Sequence, residues 1–153
     1  MKNGSSLSLL LRKTGTMAKD IYHDHVREIL EINGWIITHD PYYVRIGGVD
    51  FFMDLGAKEV IGAEKEGRKI AVEIKSFASL SNVADFHEAY GKFVLYRKAL
   101  RKKEPDRILY LAIRTKIWNT FFQKPFIQEV VEEDEVKLIV FNFPDKSLES
   151  WIE

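Results

Sequence analysis

The feature that most constrains this chain is the segment KIAVEIKSF at residues 69–77, in which apolar and charged side chains alternate. Side chains two positions apart on a β-strand lie on the same face. Ile70, Val72 and Ile74 therefore form an apolar face, and Glu73 and Lys75 lie together on the opposite face. An ion pair inside an apolar strand costs desolvation energy unless it has a use. The pattern thus predicts a strand that carries a present or ancestral functional site, with a simple charge pair on a surface strand as the alternative.

The rest of the chain alternates between helical and strand patterns. Periodicity and end signals predict helices over residues 20–33 and 83–101, and a third over 117–133 that is broken or kinked near Pro125. Strands are predicted over residues 35–38, 42–46, 49–55, 60–64, 69–77, 108–113, 137–143 and 148–152. This order predicts an α/β or α+β fold with a mixed β-sheet flanked by helices.

Composition excludes several classes of protein. The 153 residues, 46% of them hydrophobic, suffice for one compact core. The absence of cysteine excludes disulfide frameworks, thiolate zinc sites and thiol nucleophiles. The 23 basic and 23 acidic residues balance, so any nucleic-acid footprint must be regional. Since no stretch approaches the ~18 apolar residues of a membrane span, we expect a soluble cytoplasmic protein without membrane contact.

Residues 1–16 show no periodicity and contain no acidic residue. We therefore expect a flexible N-terminal extension, followed by one domain over residues 17–153. An artificial leader, an upstream start codon before Met17 and a basic arm all fit this segment.

Two carboxylates and a lysine could meet on the predicted sheet. An antiparallel return brings neighbouring strands within about 5 Å, so Asp54 could fold back beside Glu73. Hard cations such as Mg²⁺ or Mn²⁺ prefer oxygen donors, which Asp54, Glu73 and the backbone carbonyl of Ile74 could supply. Lys75 could then position or deprotonate an attacking water and offset charge on a phosphate.

Other residues compete for these roles. Asp50 or Glu64 could replace Asp54 if the strand register differs, and the first helix could add an acid from Asp20, Asp24 or Glu28. His23 and His25 are not expected to bind metal, because their spacing is poor on a helix and histidines near a helix start more often cap it or lie on the surface. A second acid-x-lysine tripeptide, Glu135-Val136-Lys137, shows that the motif alone is common.

Asp54 followed by Glu73-Ile74-Lys75 resembles the signature of the PD-(D/E)xK nucleases, which have the restriction-endonuclease-like fold. Residues 17–153 resemble, more specifically, the XisH family of fdxN-element excision controlling factors. The matching segments are AKDIYH (18–23), GWIITHDP (34–41), DLGA (54–57), IAVEIKSF (70–77), DFH (85–87), EPDR (104–107) and FFQKPFIQ (121–128).

The resemblance implies a role in programmed DNA excision in cyanobacteria, alongside a site-specific recombinase and an XisI companion protein. The superfamily motif implies Mg²⁺-dependent or Mn²⁺-dependent phosphodiester hydrolysis of DNA, with Asp54 and Glu73 holding the metal and Lys75 beside it. A homodimer would suit the cutting of two strands. The alternative is a non-catalytic accessory factor that keeps the fold and binds the companion protein or the recombinase.

The long predicted helix carries the candidate nucleic-acid contacts. Lys92 and Tyr96 have the spacing of a Gln-x-x-x-Tyr element of related nucleases, with lysine in place of glutamine. Residues 92–107 contain seven basic and two acidic residues, among which Arg97 and Arg101 are candidate phosphate contacts. A solvated helix end explains this patch equally well.

Two further groups follow this helix. An acidic face, which could meet a basic partner, comprises Glu129, Glu132, Glu133, Asp134 and Glu135. Four aromatic residues, which are expected in the core rather than in a base-stacking platform, are Trp118, Phe121, Phe122 and Phe126.

Overall fold

A computed structural model of the chain describes residues 21–51 and 60–153. The predicted extension over residues 1–16 and the candidate ligand Asp54 lie outside the described residues. The first described element, α1, is helical over residues 21–32. The others are β1 (Ile36–His39), β2 (Val44–Ile46), β3 (Val49–Phe51), β4 (Val60–Lys65), β5 (Arg68–Ile74), α2 (Asn82–Lys103), β6 (Arg107–Arg114), α3 (Thr115–Asn119), a 3-10 turn (Phe121–Gln123), α4 (Pro125–Glu133), β7 (Leu138–Phe141) and β8 (Leu148–Ile152).

The main sheet is open and mixed, with the strand order β1-β4-β5-β6-β7-β8. Strand β5 pairs antiparallel with β4 and parallel with β6, and β6 pairs parallel with β7. Helix α2 connects the parallel strands β5 and β6, whereas β2 and β3 form a separate two-stranded ribbon. The predicted mixed α/β class is confirmed.

Each face of the sheet is covered by its own apolar core. The first core packs α2, α3 and α4 against residues such as Ala71 and Leu111. The second packs α1 against the other face, through Ile70 and Val72. Strand β5 therefore contributes alternate residues to two cores, as its alternating sequence requires. Among the described residues, no helix is long and apolar enough to cross a bilayer.

Several predicted boundaries change for local reasons. Strand β5 ends at Ile74 instead of residue 77, because the chain then turns and Phe77, at a φ of 51°, packs against Phe121 and Phe122. The predicted helix over residues 117–133 is interrupted by the 3-10 turn. Its break near Pro125 is confirmed, since proline lacks a backbone N–H and favours the first turn of a new helix, α4.

Two histidines attach α1 to neighbouring loops. His23 and His25 are only 3% and 6% exposed, so the expectation of surface or capping positions is wrong. The His23 Nε2 lies 2.6 Å from Oδ1 of Asp40. The His25 Nε2 donates to the carbonyl oxygens of Asn142 and Asp145, at 2.7 and 3.1 Å, which fixes the proton on that nitrogen. Packing at the helix ends, which the local sequence does not reveal, buries both rings.

Two glycines offer a matched test of how closely β4 packs against the end of β1 and the loop that follows it. A Cβ on Gly62 in β4 would lie 3.0 Å from side-chain atoms of both His39 and Tyr42, whereas a Cβ on Gly91 in α2 would have no such neighbour within 4 Å. We expect Gly62→Ala to lower the free energy of unfolding by about 1–3 kcal/mol through overpacking. Gly91→Ala should raise it by about 0.5–1 kcal/mol, since glycine weakens a helix interior.

Urea denaturation of both variants and the wild-type chain measures these changes. If Gly62→Ala were as stable as the wild type, the close approach of β4 to the loop after β1 would be incorrect.

Candidate functional site

Glu73 and Lys75 lie where β5 leaves the sheet. In the strand register, Glu73 is opposite Val60 on β4 and Leu111 on β6, and its exposed fraction is 1%. The Lys75 N–H continues the ladder by donating to the Ala112 carbonyl at 3.1 Å. Both side chains lie on the α2 side of the sheet, as the alternation in the sequence predicts.

The first turns of α2 bring two further acids to this point. Ser81 caps the helix by accepting a hydrogen bond from the Ala84 N–H. The carboxylate of Asp85 is oriented by Ser79, whose N–H and hydroxyl donate to Oδ2 at 3.2 and 2.8 Å. Glu88 follows one turn later, so that both carboxylates point toward the end of β5.

These side chains form a lysine–carboxylate cluster, which comprises Lys75, Asp85, Glu88 and Lys92. The Lys75 Nζ donates to Oε2 of Glu88 at 2.9 Å and lies 3.7 Å from Oδ1 of Asp85. The other carboxylate oxygen of Glu88 lies 3.1 Å from the Lys92 Nζ. Asp85 and the side chain of Lys75 are largely buried, which protects their interaction from screening by solvent.

The cluster shifts the ionisation of Glu88. The hydrogen bond from Lys75, assisted by Lys92 and opposed by partial burial, lowers the pKa of the Glu88 carboxyl to about 2. Glu88 is therefore a carboxylate throughout the physiological range.

The strand register restricts the possible metal ligands. Glu64 is opposite Lys69 in the hairpin, four pairs from the Val60 and Glu73 pair, or roughly 13 Å along the strand. Its carboxylate instead lies 3.8 Å from Arg107, so Glu64 is not beside Glu73. The backbone of Asp50 pairs with Arg45 in the separate ribbon. Within residues 21–51 and 60–153, no three acidic or histidine side chains form a metal-binding group.

The acids of α1 lie elsewhere. Helix α1 packs on the sheet face opposite Glu73, through Val26, Ile29 and Leu30. Glu28 forms an ion pair with Lys146 at 2.5 Å, and Asp24 is exposed. The acids near Lys75 come from α2, and sequence reasoning missed them. Their signal is the spacing of Asp85 and Glu88 by three residues, at the start of the helix that follows the strand.

The candidate nucleic-acid residues have different environments. Lys92 belongs to the lysine–carboxylate cluster, and Tyr96 is buried in the first core. Arg97 donates to the carbonyl oxygens of Asp134 and Glu135 at 2.6 and 3.1 Å. Arg101 is exposed.

The acidic and aromatic groups are divided between surface and core. Phe121 and Phe122 are buried as expected, but Phe126 is 70% exposed, so the expectation for that residue is wrong. Adjacent residues of a helix point about 100° apart, so Ile127 packs inward while Phe126 faces solvent. Of the acidic face, Asp134 accepts a hydrogen bond from the Tyr90 hydroxyl, and four members are exposed, namely Glu129, Glu132, Glu133 and Glu135.

Fold and site together define a mixed α/β protein whose central strand delivers a buried acid and a lysine to the start of the following helix. The family model described as XisH protein matches residues 16–148, and the chain belongs to the XisH family.

Two solved structures are similar over nearly their whole length. A crystal structure of an XisH family protein from Nostoc punctiforme PCC 73102 is 40% identical, with a TM-score of 0.81, over 87% of this chain and 99% of that one. A crystal structure of an fdxN element excision controlling factor protein from Anabaena variabilis is 42% identical, with a TM-score of 0.81, over 88% and 99%. Comparison with curated proteins finds no match.

The lowered pKa of Glu88 predicts a pH-dependent contribution to stability. Because the folded-state pKa is about 2 and the ordinary value is 4.5, the stabilisation is present above pH 4.5 and is lost as the pH falls toward 2. Glu88→Gln should therefore destabilise the protein most near neutral pH, and the difference from wild type should shrink in acid.

Thermal unfolding of both proteins at a series of pH values measures this difference. Glu132→Gln is the control, because Glu132 is exposed and has no ion pair in the described part of the chain. A difference between wild type and Glu88→Gln that stays constant from neutral pH to pH ~2 would show that Lys75 does not hold Glu88.

Proposed function

We propose that the protein acts in the programmed excision of a DNA element and hydrolyses DNA phosphodiester bonds with Mg²⁺ or Mn²⁺. The observation that carries this proposal is a buried carboxylate, Glu73, on the central strand, with Lys75 two residues later on the same face. The acid-x-lysine arrangement resembles the PD-(D/E)xK nucleases with the restriction-endonuclease-like fold. A relative with 42% identity is described as an fdxN element excision controlling factor, which supports the biological context.

The donor set suits a hard cation. The Glu73 carboxylate and the Ile74 carbonyl are both oxygen donors, and Mg²⁺ commonly takes one or two carboxylates plus water and substrate oxygens. Asp54 is the proposed second carboxylate. Val60 is opposite Glu73, and the six residues from Asp54 to Val60 can span up to about 20 Å, so chain length permits it. When bound, a divalent cation supplies Lewis-acid polarisation of the phosphate.

Lys75 is proposed to stabilise the charge that develops on the phosphate. Its ammonium group donates hydrogen bonds to the non-bridging oxygens, while Asp85 and Glu88 keep it at the end of β5. A water oxygen bonds to phosphorus, the opposite phosphorus–oxygen ester bond breaks, and the water proton is transferred to the leaving oxygen. Asp85 and Glu88 are thus positioning residues, because they act through Lys75.

The same contacts favour a second candidate. Two carboxylates already compensate the charge of Lys75, and Lys92 occupies the glutamine position of the related nuclease element. A protein with this site could serve as a non-catalytic accessory factor that binds an XisI-like companion or a site-specific recombinase. As a homodimer, either form could act on both DNA strands.

Nicking of supercoiled plasmid DNA, with Mg²⁺ or Mn²⁺ and with each metal left out, tests the catalytic proposal. Glu73→Gln and Lys75→Gln should each lower the rate about 100-fold or more, because each removes charge at the reacting phosphate. Supercoiled, linear and branched substrates should be compared, since the preferred DNA form is part of the question.

The matched control is Glu132→Gln, which removes an exposed carboxylate of α4 that lies outside both charged sites. It should cut like the wild type. Thermal unfolding of all variants separates loss of activity from loss of fold. Absence of cutting on every substrate, together with recovery of a bound companion protein, would support the accessory role and contradict the nuclease proposal.

A further inference from the structure

A second charged site lies at the far end of α2, between that helix, the start of β6 and the loop before β7. A cavity of about 140 Å³ opens there. Half of its lining residues are apolar, and the other half are four basic residues and one acidic residue, namely Arg97, Arg101, Arg107, Lys137 and Glu135. We call this the cationic cavity.

The charges of the cationic cavity are only partly compensated. Arg107 is buried, forms an ion pair with Glu104 and donates to the Ile70 carbonyl at 2.8 Å, so its role is structural. Arg97 donates to two backbone carbonyl oxygens, which carry no net charge. Because Arg107 is already paired with both Glu104 and Glu64, it is set aside, and the other three basic residues of the lining outnumber Glu135 by two positive charges.

The uncompensated charge can reach a ligand. Within residues 21–51 and 60–153, neither Arg101 nor Lys137 forms an ion pair. Glu153 interacts electrostatically with Lys137, but its carboxylate accepts hydrogen bonds from Tyr110 and Arg68. At about 140 Å³, the cavity has room for a tetrahedral anion.

We propose that the cationic cavity binds a phosphate group of the DNA backbone and so anchors the duplex at a distance from the lysine–carboxylate cluster. Arginine forks match phosphate oxygens in geometry as well as charge. This inference rests on the proposed function, in that it takes DNA as the substrate, and it adds where a second part of that DNA is held.

Helix α2 sets the spacing of the two sites. Glu88 and Arg101 are 13 residues apart on the same helix, which corresponds to about 20 Å along its axis. The cavity and the lysine–carboxylate cluster are therefore held about 20 Å apart along the axis of α2.

Fluorescence anisotropy with a labelled duplex of about 20 base pairs, in buffer without divalent cations, tests the anchor. The double variant Arg101→Glu, Lys137→Glu should bind at least 10-fold more weakly. The milder pair Arg101→Gln, Lys137→Gln should make the dependence of log Kd on log salt shallower by about one, the value for one lost phosphate contact.

The matched control is Lys65→Glu, Arg68→Glu, which makes the same change in charge at the β4–β5 turn, beside Trp35 and Trp151. Equal weakening by the control pair would indicate diffuse electrostatic attraction and would overturn the anchor. Unchanged affinity of the cavity variants for the duplex would also overturn the anchor. The same holds if the wild-type chain binds no duplex. Thermal unfolding confirms that each variant is folded.

Two further results separate the possibilities. In an NMR titration, inorganic phosphate could shift the amide signals of Arg101 and Lys137 to a limiting value without being displaced by duplex DNA. This result would assign the cavity to free phosphate and contradict the DNA anchor. Duplex binding that depends on the cavity, without cutting in Mg²⁺ or Mn²⁺, would support the anchor and contradict the nuclease proposal. If the cavity variants bind and cut DNA like the wild type, the result would support the nuclease proposal and contradict the anchor.

Discussion

Coverage of β5 on both faces is the constraint on which the rest of this structure depends. The strand is paired with β4 on one side and β6 on the other, and an apolar core lies against each face. In such a position, backbone groups are satisfied by the ladders and side chains must be apolar or have polar partners. Lys75 meets this condition through Asp85 and Glu88, because it follows the end of the strand, beside the first turns of α2. The site therefore lies at the end of β5, where the apolar core ends.

Helix α2 connects the two charged regions of the protein. Its first turns hold Lys75 through Asp85 and Glu88, its middle is anchored in the first core by Phe93, and its last turn carries Arg101 at the cationic cavity. Acidic residues at the start and basic residues at the end also suit the helix dipole. Because one continuous helix separates the two sites, their spacing is fixed by its rise per residue.

Much of the fold could be predicted from local patterns. The alternation of Ile70, Val72 and Ile74 with Glu73 and Lys75 predicted which side chains share a face, and the strand predicted over residues 108–113 lies within β6. Glu66 and Gly67, both with positive φ, form the tight turn between β4 and β5. These features are local, since the strand period and turn chemistry depend on neighbours in the chain. The same local reasoning failed for His23, His25 and Phe126, because their burial depends on which loops pack against the ends of their helices.

The sequence by itself determined the class of fold, the family and the pairing of Glu73 with Lys75 on one face, since each is encoded in contiguous segments with a fixed period. Only the tertiary structure decided which acids meet Lys75. Asp85 and Glu88 reach it because α2 returns across the first core, whereas Glu28 of α1 packs on the opposite side of the sheet and binds Lys146. The tertiary structure also gives two arginines different roles. Arg107 is buried in contacts with Glu104 and a backbone carbonyl, whereas Arg101 is exposed. Such assignments depend on distances between segments far apart in the chain, and these distances are set by how the helices pack on the two faces of the sheet.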